Sequence, residues 1–238
     1  IQNASLVEGS PVLTLQNFDD YWVYEKDTRN LFAAGQQWLG ESFDIQNQRT
    51  FTHTFPNLDT SIPIRVKVVA AGISSSNTSF QLAVNGSNLS NFNINSVSGH
   101  TLAMNGQTQA STSVGNEQIS LSLQFNNGGN SSAKAYLDYI EIIGKRNLVV
   151  GNKQFVFRNF ATLNTTGIIN FQIQNATNIF KLWDVTDPIN VSNISNQGTG
   201  GSYTFNTIGG QLKEFVIVNS QDYYTPSRPS DYRVQNQN

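Results

Sequence analysis

The chain has 238 residues, of which 38% are hydrophobic, 11% aromatic and 13% charged, with a formal net charge of -2 and no cysteine. That length buries one large β domain or two small ones, and 15 Phe with so little charge exclude a disordered chain. Basic residues are scattered, which excludes a clustered nucleic-acid footprint, and no run of about 18 apolar residues forms a transmembrane segment.

Period-2 patterns dominate the chain. In Ile62 to Val69 the even positions are apolar while Arg65 and Lys67 fall on the other face, the pattern of a half-buried antiparallel strand. Ser79 to Val84 alternates likewise and runs into Asn85-Gly86, a tight-turn signal. Glu117 to Phe125 points Ile119, Leu121, Leu123 and Phe125 inward and ends at Asn126-Asn127-Gly128-Gly129, a second turn. Tyr136 to Ile143 reads as a long, mostly buried strand. No segment shows a sustained 3.6-residue apolar stripe, so the expected class is all-β.

A boundary is expected near Gly144-Lys145-Arg146-Asn147, where a new strand series opens. Its members are 154–157, 168–173, 179–183, 202–205 and 214–218. Strands at this spacing over roughly 90 residues suit a small Greek-key sandwich, and the longer strands before the boundary suit a jelly roll. The expected architecture is two β-sandwich domains. Residues 1–145 form a jelly roll, 146–222 a smaller immunoglobulin-like sandwich, and 223–238 a linker with Pro226 and Pro229. No basic and apolar leader opens the chain, so a signal peptide is expected to have been removed or not included.

The missing thiols remove disulfides, thiolate zinc sites, iron–sulfur clusters and cysteine nucleophiles. Only His53 and His100 are left for a histidine metal cage, and neither has a recognisable nucleophile partner. The polar character comes from 30 Asn and abundant Ser, Thr and Gln, and Asn-x-Ser/Thr triplets such as Asn85-Gly86-Ser87 read as loop chemistry. Asp19-Asp20 and Asp184/Asp187 are the close carboxylate pairs. Neither supplies the dense oxygen set of a calcium loop, and turn or cap roles fit them better. Trp22 and Tyr24, in Tyr21-Trp22-Val23-Tyr24, are candidates for sugar stacking, set against a core-plugging role. Trp38-Leu39-Gly40-Glu41-Ser42-Phe43 suggests a fixed corner, with Glu41 accepting hydrogen bonds from backbone or a basic side chain. Trp38, Gly40, Glu41, Trp183 and Asp184 are therefore expected in structural or interface roles. In that structural role Trp38→Ala is expected to cost about 3–5 kcal/mol, as for other buried large aromatics. No catalytic, cofactor or metal residue is assigned.

Several stretches resemble the N-terminal region of the type IX secretion system sortases, gingipain-like cysteine peptidases of Bacteroidetes. They are Tyr21 to Glu25, Gly35 to Phe43, Leu137 to Ile142, Gln154 to Asn159, Trp183 to Pro188 and the closing Val234-Gln235-Asn236-Gln237-Asn238. The resemblance implies a non-catalytic scaffold preceding a cysteine peptidase domain of the same polypeptide, with other secretion-system proteins as further partners. It implies an exported protein held at the outer membrane, where such sortases cleave a C-terminal signal from cargo and anchor it to a surface lipid or sugar. The family's catalytic Cys and His belong to the peptidase domain, so none is carried over. The Leu137 to Ile142 strand also resembles the last strand of galactose-binding-like jelly rolls, a likeness of fold and not of ligand. The rival reading is a carbohydrate-binding or adhesin-like surface module. An independent enzyme fits least, because no nucleophile–base constellation is visible.

Overall fold

The computed structural model describes residues 1–31, 37–219, 222, 225 and 227. Strands dominate, and the chain divides into two compact units: residues 17–148, and residues 1–16 together with 149–238. In chain order the first strands are β1 (Gln2–Asn3), β2 (Leu13–Leu15), β3 (Asn17–Glu25), β4 (Ser42–Phe43), β5 (Gln48–Thr54) and β6 (Ile64–Ile73). Next come β7 (Thr78–Val84), β8 (Ser87–Ile94), β9 (Met104–Thr112), β10 (Gln118–Asn126), β11 (Lys134–Asn147) and β12 (Phe155–Arg158). The last are β13 (Ile168–Ile173), β14 (Ile179–Asp184), β15 (Ser192–Ile194), β16 (Tyr203–Ile208) and β17 (Glu214–Asn219).

The unit of residues 17–148 is a jelly roll. One sheet runs β3–β11–β6–β9 and the other β5–β10–β7–β8, all antiparallel. Alternation explains the layering: Phe80 and Leu82 of β7, Leu121 and Leu123 of β10, and Val66 and Val68 of β6 meet in one buried core. β6 begins half-buried, as its sequence predicts, but Val69 and Ala71 are buried as well. Leu39 and Tyr136 cover Ala71 on the sheet's outer face.

The β7–β8 hairpin closes through Asn85 and Gly86, whose φ values of 49° and 83° are those of a tight primed turn. Nothing lies within 4 Å of a Cβ built on Gly86, so Gly86→Ala meets backbone strain alone. The expected cost is about 1–2 kcal/mol, read from the urea midpoint.

The second unit is a smaller sandwich. Its larger sheet runs β1–β15–β14–β17–β12 and the other β16–β13–β2. Here the expected boundaries need correction. Residues 1–16, expected in the first domain, contribute an edge strand to each sheet of this unit, β1 parallel to β15 and β2 parallel to β13. The break after β11 falls at 148/149. Of the expected linker 223–238, only Thr225 and Ser227 are among the described residues.

Candidate functional site

The residues flagged from sequence in the jelly roll converge where β3 meets the segment before β5. Period 2 turns Tyr21 and Val23 outward and Trp22 and Tyr24 toward the core. The segment 39–43 is pinned along neighbouring strands. Leu39 exchanges backbone hydrogen bonds with Arg29 at 2.8 and 2.9 Å, Gly40 N–H donates to Leu137 O at 2.7 Å, and Leu137 N–H donates to Glu41 O at 2.9 Å. A Cβ on Gly40 would lie 2.9 Å from the Lys26 carbonyl oxygen, so only glycine permits this approach.

That corner delivers Glu41 to Tyr24. The Glu41 side chain is 10% exposed. Its Oε1 accepts the Tyr24 hydroxyl at 2.5 Å and faces Lys26 Nζ at 3.4 Å, whereas Oε2 is buried with no hydrogen-bond partner. Burial pushes the Glu41 carboxyl up, but hydrogen bonds from Tyr24, the backbone and Lys26 outweigh it and hold the group below its ordinary range. Burial, then the hydrogen bond to Glu41, pushes Tyr24 up to about 12. Around them lies a cavity of about 330 Å³ lined by Trp22, Tyr24, Glu41, Arg49, Phe51 and two threonines of β5. Arg49 is committed elsewhere: its Nε donates to Ser42 O at 3.0 Å and its guanidinium lies 5.6 Å over the Phe43 ring.

The chemistry of this cluster is that of a lock. The lowered pKa keeps Glu41 ionised at neutral pH and the raised one keeps Tyr24 protonated, the two states that the hydrogen bond between them needs. Trp22 stacks on His53 with centroids 5.0 Å apart and 13° between planes, so one indole face is already covered. His53 also meets Phe55 edge-on at 4.5 Å.

Burial, helped by nearby Arg146 and opposed by Asp20, lowers the His53 pKa. A His whose folded pKa lies below its unfolded value of about 6.5 contributes stability above that pH and loses it as pH falls through the folded value. Unfolding free energy should therefore decline below about pH 6.5, and His53→Gln should flatten that decline. Urea titrations of both proteins at pH 7.5 and 5.5 check this.

The other flagged groups are spent on structure. Asp19 and Asp20 pair with Lys145 and Arg146 across β3 and β11, each at 2.8 Å. Asp184 accepts Thr186 N–H at 3.0 Å and faces Lys213 Nζ at 3.5 Å. Asp187 takes Asn190 Nδ2 at 2.7 Å and Ile189 N–H at 2.9 Å, which hold its carboxyl low. Trp183 is half-buried in β14, and His100 is exposed in a turn. Trp38 is 45% exposed and does not line the cavity, so the 3–5 kcal/mol expected of a buried indole does not apply; Leu39 is the buried member of that corner. Of the flagged residues, the structure brings together Trp22, Tyr24 and Glu41 over the Gly40 corner. It adds Lys26, Arg49 and Phe51, which sequence reasoning had not singled out; the Gln48 to Thr54 alternation was the available signal for Phe51. Among the described residues no group of three or more His, Asp or Glu is placed to hold a metal, and no helix is long and apolar enough to cross a membrane.

No family model matches the sequence, and no curated protein matches it. Among solved structures, dimeric latent PorU from Porphyromonas gingivalis is similar with a TM-score of 0.80 at 16% identity, over 93% of this chain and 22% of that one. The chain thus spans about a fifth of the length of that relative, and the shared fold is the one the sequence resemblance implies. A CBM36 carbohydrate-binding module in complex with calcium and xylotriose is similar at a TM-score of 0.32 and 14% identity, over 52% of this chain and 98% of that one. The CBM36-1 domain of a multidomain xylanase from the hindgut metagenome of Trinervitermes trinervoides gives 0.33 at 14% identity, over 52% and 95%.

Proposed function

We propose that this chain is the non-catalytic scaffold region of a PorU-like sortase of type IX secretion. The observation that supports it is a fold shared across 93% of this chain with 22% of one PorU chain, in a sequence whose motifs resemble the same family in order. The chemistry fits. The Glu41 carboxylate beside the Trp22 cavity is held by Tyr24 and Lys26, and a chain with no cysteine lacks that family's nucleophile. Catalysis then belongs to a Cys/His peptidase domain encoded beyond residue 238. The two sandwiches hold that domain in place or screen its cleft, in an exported protein at the cell surface.

The reading frame downstream tests this first, since a frame without a Cys/His peptidase domain removes the proposal. In a type IX-secreting host, the peptidase domain expressed without residues 1–222 should leave cargo carrying its C-terminal signal. Cargo cleaved and anchored as well as by the intact protein would defeat the scaffold role.

A further inference from the structure

The outer face of the β5–β10–β7–β8 sheet has a composition that the scaffold role does not use. Its register sets Gln48, Gln124, Gln81 and Asn91 side by side across all four strands, and Asn126, Ser79 and Asn93 one row along. At about 4.8 Å per strand the first row spans about 14 Å. Apart from Gln48, whose Nε2 donates to Ser122 Oγ at 3.0 Å, these rows line a groove of about 550 Å³, with Asp44, Asn47 and Asn127 also lining it and Phe80 and Phe125 buried beneath. No Lys or Arg lines it. The side-chain amides of Gln81, Gln124, Asn91 and Asn93 have no hydrogen-bond partner among the described residues, so their donors and acceptors face solvent.

We propose that this groove binds a neutral glycan chain. Each amide presents two N–H donors and one acceptor oxygen, and a sugar hydroxyl both donates and accepts, so a row of free amides matches a row of hydroxyls. A charged polymer would find one carboxylate and no cation, and an apolar ligand would find its aromatic floor already covered. With no exposed ring to stack on, recognition runs through hydroxyl edges and is correspondingly weak. The inference is independent of the sortase reading, because a glycan groove serves a surface scaffold and a free-standing module equally.

Affinity electrophoresis of the purified chain through gels containing dextran, β-glucan, xylan or mannan tests it. Retardation by at least one neutral polysaccharide is expected. Gln81→Ala with Gln124→Ala should weaken it about tenfold or more, while leaving the melting temperature unchanged because both side chains are exposed. If that pair lowers the melting temperature, Asn91→Ala with Asn93→Ala takes its place. No retardation by any of the four overturns the proposal. So does retardation that survives the groove substitutions, or that disappears only in Trp22→Ala, which would move binding to the aromatic cavity beside Glu41.

Discussion

Phe215→Ala is expected to destabilise the smaller sandwich by about 3–5 kcal/mol. Phe215 is fully buried in β17, with its ring centroid 5.0 Å from Phe205, 5.2 Å from Phe157 and 5.4 Å from Phe171. Phe171 stacks on Phe205 at 5.1 Å and meets Phe157 at 5.8 Å, so Phe215 and Phe171 each touch the other three rings. Truncating it removes transfer free energy and leaves a cavity walled by stiff rings that cannot collapse into the space. Three edge-to-face or tilted contacts are lost together. Phe180→Ala is the matched control, because Phe180 is 55% exposed and the same deletion there should cost far less. Urea unfolding followed by circular dichroism reads both. A loss below about 1 kcal/mol for Phe215→Ala would mean that the four rings do not share a core.

The strands that were legible in the sequence were those with one buried face. β7 and β10 alternate cleanly because the core takes every second residue. β9 carries no such signal: it lies at a sheet edge, and its buried residue is Gly106, over which Ile94 sits so closely that a Cβ would approach it to 2.6 Å. β8 was hidden for another reason. Its pairing with β7 slips between Leu82 and Ala83, which shifts the period at Leu89 and Ser90. β1 and β2 are two and three residues long, and their partners lie near the other end of the chain. Local patterning cannot see such a pairing. The site was legible as residue types and not as geometry. Trp22, Tyr24 and Glu41 stood out, but their meeting depends on the Gly40 approach to Lys26, which is set by Leu137 of β11 nearly a hundred residues on. Trp38 drew attention for its size, while the burial at that corner belongs to Leu39.

Tyr24→Phe should destabilise the jelly roll by about 1.5–3 kcal/mol near neutral pH, the range for a hydrogen bond to a charged group. The ring stays and only the donor goes. Glu41 is already short of one partner at Oε2, so losing Tyr24 leaves its carboxylate with Lys26 at 3.4 Å as the remaining side-chain donor. The pH dependence separates this cause from a packing loss. The folded Glu41 pKa is depressed, so its contribution is present above the unfolded value of about 4.3 and is lost as pH falls through the folded value. A protonated Glu41 no longer needs a donor, and the gap between wild type and variant should shrink in acid. Tyr24 runs the other way. Its folded pKa is raised to about 12, so its contribution is present below the unfolded value of about 10 and is lost as pH rises through 12. The phenylalanine has no such loss. The gap should therefore be widest between about pH 5 and 10 and close on both sides, and Glu41→Gln should remove its acid limb. A gap of constant size from pH 3.5 to 11 would show that the hydroxyl fills space and that the Tyr24–Glu41 lock does not hold the 39–43 corner.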